Sequence, residues 1–217
     1  MEEMIYILPF SIDAIELITI FIGIYHYKKY KDTLLKYFLW FLCYGFITEM
    51  LGIVIGYGFK KSNYIVFNVY AIISYFFFYW LFYNSFKNKR NKHIVSFFIL
   101  CFTLVFIIDS FFFNTIFENQ QYYTLLFGSI SLIVTIILFF IEILNSEAIL
   151  KVKHLLIFWV AVGLLLFQLG FIPVFLASKY INYSNGLTYG YILLILNFIT
   201  SLCYSLGFIW TKKNLNY

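Results

Sequence analysis

From Thr33 to Tyr57 the chain reads TLLKYFLWFLCYGFITEMLGIVIGY, apolar almost throughout, with one carboxylate, Glu49, inside. A helix rises roughly 1.5 Å per residue, so a stretch of this length crosses a hydrocarbon core of about 30 Å. Glu49 then lies more than two turns from the Tyr57 end. An ionisable group at that depth is costly, and it usually faces protein or a wet cavity where it does work. The stretch recurs in kind. Apolar blocks occupy Ile5 to Tyr25, Tyr64 to Phe86, His93 to Phe113, Tyr122 to Leu144, Leu155 to Ala177 and Leu187 to Trp210.

Seven such blocks use nearly all of the 217 residues. Only 12% of residues are charged and 63% are hydrophobic, against about 25% and 45–50% in a soluble domain. The excess comes in runs rather than stripes, so lipid, not a larger core, must solvate most side chains. The expected fold is all-α: one polytopic membrane domain over residues 1–217 with seven transmembrane helices. No connection is long enough for a soluble catalytic or kinase module. The acidic start, MEEM, lacks the basic region and cleavage site of a signal peptide, so the first block is expected to stay as an anchor.

Basic residues set the expected orientation. With the N-terminus outside, the inner connections hold Lys28, Lys29, Lys31, Lys36, Lys87, Lys89, Arg90, Lys92, Lys151, Lys153, Lys212 and Lys213, leaving only Lys60, Lys61 and Lys179 of the 15 outside. The expectation is N-terminus out, C-terminus cytoplasmic. Tyr25, Tyr27, Tyr64, Tyr122, Tyr123 and Trp210 fall at block ends, where amphipathic rings meet headgroups. Gly52 and Gly56 form a GxxxG read as close packing within the molecule. Asn182-Tyr183-Ser184 fits a glycosylation tripeptide in an outer connection, a match too short to carry weight.

In that frame seven polar residues from six blocks fall in the outer half or centre of the bilayer: Asp13, Glu16, Glu49, Asn68, Asp109, Gln168 and Asn197. Glu142 is the chief polar group of the inner half. Asp13 and Glu16 are three apart and share a helical face. No lysine or arginine lies at comparable depth, so these acids must share protons, bind a cation or reach water. Pro9, Pro173, Gly163 and Gly170 allow local kinks that would shape a pocket. The bland alternative is that Asp13 and Asp109 sit among headgroups and Glu49 is a hydrogen-bonding strut.

Other chemistry finds no motif. Cys43, Cys101 and Cys203 sit inside apolar blocks without CxxC spacing and read as packing residues. His26, His93 and His154 lie at inner block ends and read as interfacial. HExxH and GxSxG are absent, and no histidine matches the depth of the intramembrane serines. The expectation is no catalytic residue, no metal and no cofactor. No basic stripe with interleaved aromatics points to nucleic acid. The expected partner is the lipid bilayer. The inner face leaves room for a membrane or cytoplasmic protein partner, and homo-oligomers are open.

Thr48-Glu49, the FNVY of Phe67 to Tyr70, and FWVAVGLLLFQLG from Phe158 to Gly170 resemble a family of seven-helix bacterial inner-membrane proteins of uncharacterised role. The layout is also similar to the seven-helix sensor modules of some histidine kinases. Members tend to carry an acidic residue one turn after the NxY; here Ser74 stands there. The resemblance implies a sensor-like bundle in a bacterial inner membrane. The functional expectation is therefore a signalling protein that binds a small ligand or protons in an outward-facing pocket. Set against it are a transporter, a channel or pore-forming effector, and a structural subunit packing the aromatic face Phe76 to Trp80 on another membrane protein.

Overall fold

The computed structural model describes residues 2–178 and 186–213, with side chains described from Leu8 on, apart from Pro9, Ala148, Ser178, Gly186 and Leu187. Lys179 and the Asn182-Tyr183-Ser184 tripeptide lie outside the described residues, as does the ring of Pro9. The described chain is all-helical: α1 (Glu2–His26), α2 (Lys36–Ile53), α3 (Tyr64–Ser85), α4 (Lys89–Ile108), α5 (Tyr122–Leu144), α6 (Leu156–Ser178) and α7 (Gly186–Trp210). Among the described residues, seven helices are long and apolar enough to cross a membrane. Large apolar side chains such as Phe21 (66%), Trp40 (66%) and Phe111 (81%) stand exposed on these helices or the turns that close them. Lipid is the solvent that makes such a surface stable.

The helix ends differ from the apolar blocks by a few residues, for local reasons. Thr33 spends its hydroxyl on the Tyr30 carbonyl at 2.7 Å and accepts the Leu35 N–H at 3.3 Å, so residues 33–35 form a turn before α2. The helix α4 starts at Lys89 rather than His93 because Asn88 Oδ1 accepts the Arg90 N–H at 2.9 Å. That is an N-cap, and it draws charged residues into the first turn. Both α2 and α4 end in a π-helical turn, Val54–Gly58 and Asp109–Phe113.

The chain divides into two compact units, residues 1–46 with 150–217, and residues 47–149. In the first, α7 packs on both α1 and α6. Small residues permit the approach: a methyl added at Gly163 would stand 2.9 Å from the Tyr204 ring, and one at Gly207 2.8 Å from Trp159 Cβ. Partners along α1 and α7 advance together, Leu8 with Gly190, Thr19 with Ser205 and Gly23 with Phe208, so these helices run parallel. Along α6 and α7 they run oppositely, Trp159 with Gly207, Gly163 with Thr200 and Gly170 with Leu196.

In the second unit, α3 packs against α4 and α5. Phe102 of α4 is fully buried against the rings of Tyr75, Phe76 and Tyr79. Tyr75 Oη meets Ser129 Oγ at 2.7 Å, and Tyr79 Oη meets Ser131 Oγ at 2.5 Å. Gly128 admits the Tyr75 ring. Gly52 likewise admits the Phe67 ring, and Gly56 faces Asn63, so the GxxxG that runs from α2 into its π-helical turn packs within the molecule.

Candidate functional site

The seven polar residues divide between the units. Glu49, Asn68 and Asp109 belong to the second; Asp13, Glu16, Gln168 and Asn197 belong to the first.

In the second unit, Asn68 and Asp109 have structural employment. Asn68 is 2% exposed and its Nδ2 donates to the carbonyls of Ile116 (2.9 Å) and Asn119 (2.8 Å). Its Oδ1 accepts the Gln121 N–H at 3.3 Å. Asp109 Oδ1 accepts from Asn114 Nδ2 at 2.7 Å, while Oδ2 accepts the Thr124 N–H and hydroxyl. Gln121 Oε1 accepts from Ser110 at 3.0 Å, and its amide donates to the Asn114 carbonyl. The connection between α4 and α5 is thereby tied to α3 and to both helix ends. Its backbone groups would otherwise be orphans in a dry setting. Glu49 is half-buried on α2.

The sequence reading missed Ser110, Asn114, Gln121 and Thr124. The signal available was the run NTIFENQQ itself: polar residues between two membrane-length blocks must satisfy the helix ends they join. Glu142 shows the same logic at the opposite ends of α3 and α5, accepting from Lys87 N (2.6 Å), Asn88 N (3.1 Å) and Asn91 Nδ2 (2.6 Å).

The first unit is different. The parallel register of α1 on α7 carries Asp13 to the level of Asn197, and the antiparallel register of α6 carries Gln168 there too. Glu16, one turn on, falls at the level of Thr200. Asp13 is 3% exposed and Gln168 6%; Glu16 and Asn197 are half-buried. Asn197 Nδ2 donates to Leu193 O of its own helix at 2.9 Å, and Thr200 Oγ1 to Leu196 O at 2.8 Å. One of the two Asn197 amide hydrogens is thus used on its own turn, and the Thr200 hydroxyl also reaches the Gly163 carbonyl of α6 at 3.4 Å. Gln168 Oε1 is buried without a hydrogen-bond partner among the described residues. A carbonyl in that state costs about 1–3 kcal/mol until a donor reaches it.

The level is therefore rich in acceptors: two carboxyls, two amide oxygens and a spent hydroxyl. The helices α1, α6 and α7 contain no lysine or arginine. A lysine or arginine balancing Asp13 and Glu16 would have to come from outside these helices. Such a layer can hold protons, water, or a small donor or cation.

The other end of this unit gathers the basic groups. Lys29 Nζ donates to Ile209 O at 2.7 Å, His154 Nδ1 lies 2.9 Å from Trp210 O, and Lys212 N donates to His154 O at 3.3 Å. Tyr30, fully buried just past α1, donates its hydroxyl to Gly23 O at 2.6 Å. Burial pushes its phenol pKa above the ordinary value, with the Tyr27 and Cys43 side chains adding to the rise. Cys43, Cys101 and Cys203 are free thiols. Comparisons with protein-family models, curated proteins and solved structures each found no match to this chain.

Proposed function

We propose that this protein is a multi-pass sensor of a bacterial inner membrane, with its N-terminus outside and its basic helix ends in the cytoplasm. In this reading the layer of Asp13, Glu16, Gln168 and Asn197 takes up protons or a small hydrogen-bond-donating or cationic ligand from the outer side. The observation that carries the reading is the buried, unpartnered carbonyl oxygen of Gln168 at the level of two acids. A site that awaits a donor is one whose packing changes when the donor arrives. The helix α7 touches both α1 and α6, so a change there moves its far end, where a membrane or cytoplasmic partner would read it.

The test uses purified protein in lipid nanodiscs. The ring pair Trp159–Trp210, 5.1 Å apart at the basic end of α6 and α7, serves as the reporter. Titration with protons and with small mono- and divalent cations should change tryptophan emission, and Asp13→Asn with Glu16→Gln should abolish that change. A wild type indifferent to both kinds of titrant removes the sensor reading. Ion flux into proteoliposomes that is lost in the same variants would replace it with transport.

A further inference from the structure

Three membrane spans of the first unit end around one open cleft: Phe10–Lys29 ends on it, Thr188–Trp210 ends on it, and Leu156–Ala177 begins two residues past His154. Its volume is about 470 Å³, and Lys29, His154, Trp210, Thr211, Lys212 and Lys213 line it. The span ends put it at headgroup depth. The edge-on contact of Trp210 with Trp159 agrees, because indole rings settle at that level.

The walls are held in place. The carbonyls ending α7 are occupied by Lys29 Nζ and by the His154 ring, and the strand of chain carrying Lys212 is pinned by its N–H on His154 O. Lys213 faces Asp32 at 3.6 Å, but both side chains are 63% exposed, and an ion pair so placed is worth little. The cleft is therefore lined by the positive charges of Lys29, Lys212 and Lys213, the last with a weakly held carboxylate, beside the apolar side chains of Ile209 and Trp210. Basic pockets between spans at this depth suit anionic headgroups.

We infer that this cleft binds a phosphate-bearing anion, with Lys212 and Lys213 as its principal contacts and Lys29 and His154 as its fixed wall. The chemistry fits the phosphodiester of an anionic lipid or a free phosphate equally, and the assignment does not depend on the sensor reading.

Native mass spectrometry of the detergent-purified full chain tests it, counting bound phosphatidylglycerol and phosphatidylcholine. Wild type should retain phosphatidylglycerol preferentially, and Lys212→Ala/Lys213→Ala should weaken that retention on the order of 30-fold. Lys212→Arg/Lys213→Arg should restore most of it. Lys60→Ala/Lys61→Ala removes equal charge outside the cleft and should leave retention unchanged. Excess inorganic phosphate separates the sources: displacement of the lipid assigns the site to a soluble anion, and persistence assigns it to the headgroup. Equal retention of the two lipids by wild type overturns the inference. So does equal loss in the Lys60/Lys61 variant, which would mark a diffuse field rather than a site. The replaced lysines are exposed, and unchanged circular dichroism of each variant separates lost binding from lost folding.

Discussion

Asp109 Oδ2 accepts two hydrogen bonds from Thr124, one from its backbone N–H at 2.8 Å and one from its hydroxyl at 2.9 Å. The carboxylate closes the π-helical turn after α4 and opens α5, with its second oxygen on Asn114. Asp109→Asn puts an NH₂ against one of these donors. The expected cost is about 1–3 kcal/mol, a fall of several degrees in melting temperature for a chain of this size. Thermal unfolding followed by circular dichroism in mild detergent checks it. An unchanged midpoint would free Asp109 for another role.

The pair Tyr79–Ser131 allows a cleaner measurement. A serine hydroxyl has one proton, and Ser131 has the Phe127 carbonyl at 2.6 Å to receive it. Its lone pair is then left to accept the Tyr79 O–H at 2.5 Å. A double-mutant cycle of Tyr79→Phe and Ser131→Ala should give a coupling energy of about 0.6 kcal/mol and no more than about 1.7, the range for hydrogen bonds between membrane helices. Zero coupling would mean the two hydroxyls find other partners.

Glu142 offers the counterpart at the other end of α3 and α5. Its carboxylate accepts the N–H groups of Lys87 and Asn88 and the Asn91 amide, beside the first turn of α4. A negative charge there also meets the positive end of the helix dipole. Glu142→Gln should cost about 1–3 kcal/mol. Amide exchange at Lys87 and Asn88 should rise with it. Exchange unchanged at those two positions would show the carboxylate to be dispensable.

The spans were legible because a bilayer leaves the chain no alternative: the block Tyr122 to Leu144 coincides with α5, since polar residues bound it on both sides. What stayed hidden was partnership. Asn68 and Asp109 read as pocket groups because depth alone cannot tell a ligand contact from a loop tie. The tie depends on which carbonyl the fold delivers, here Ile116 and Asn119. The grouping of Asp13 with Gln168 and Asn197 was legible only as a shared depth. The registers of α1 and α6 on α7 that align them come from glycine contacts such as Gly163 and Gly190, whose partners lie far off in sequence.

Gln168 provides the sharpest discrimination between strut and site. Were its carbonyl holding helices together, removing the amide would cost stability as it would for Asn68. Instead Oε1 is buried without a partner among the described residues, so an apolar replacement removes a desolvation penalty of about 1–3 kcal/mol. Gln168→Met, near in volume, is therefore expected to leave the melting temperature unchanged or raise it by a few degrees. The same substitution should blunt the Trp159–Trp210 emission response to protons or cations. Asn68→Leu, by contrast, strands two carbonyls and should lower the midpoint without touching that response. A Gln168→Met protein that melts lower and responds normally would show the amide to be an ordinary structural group, and the acceptor-rich level of α1, α6 and α7 would lose its claim to bind anything.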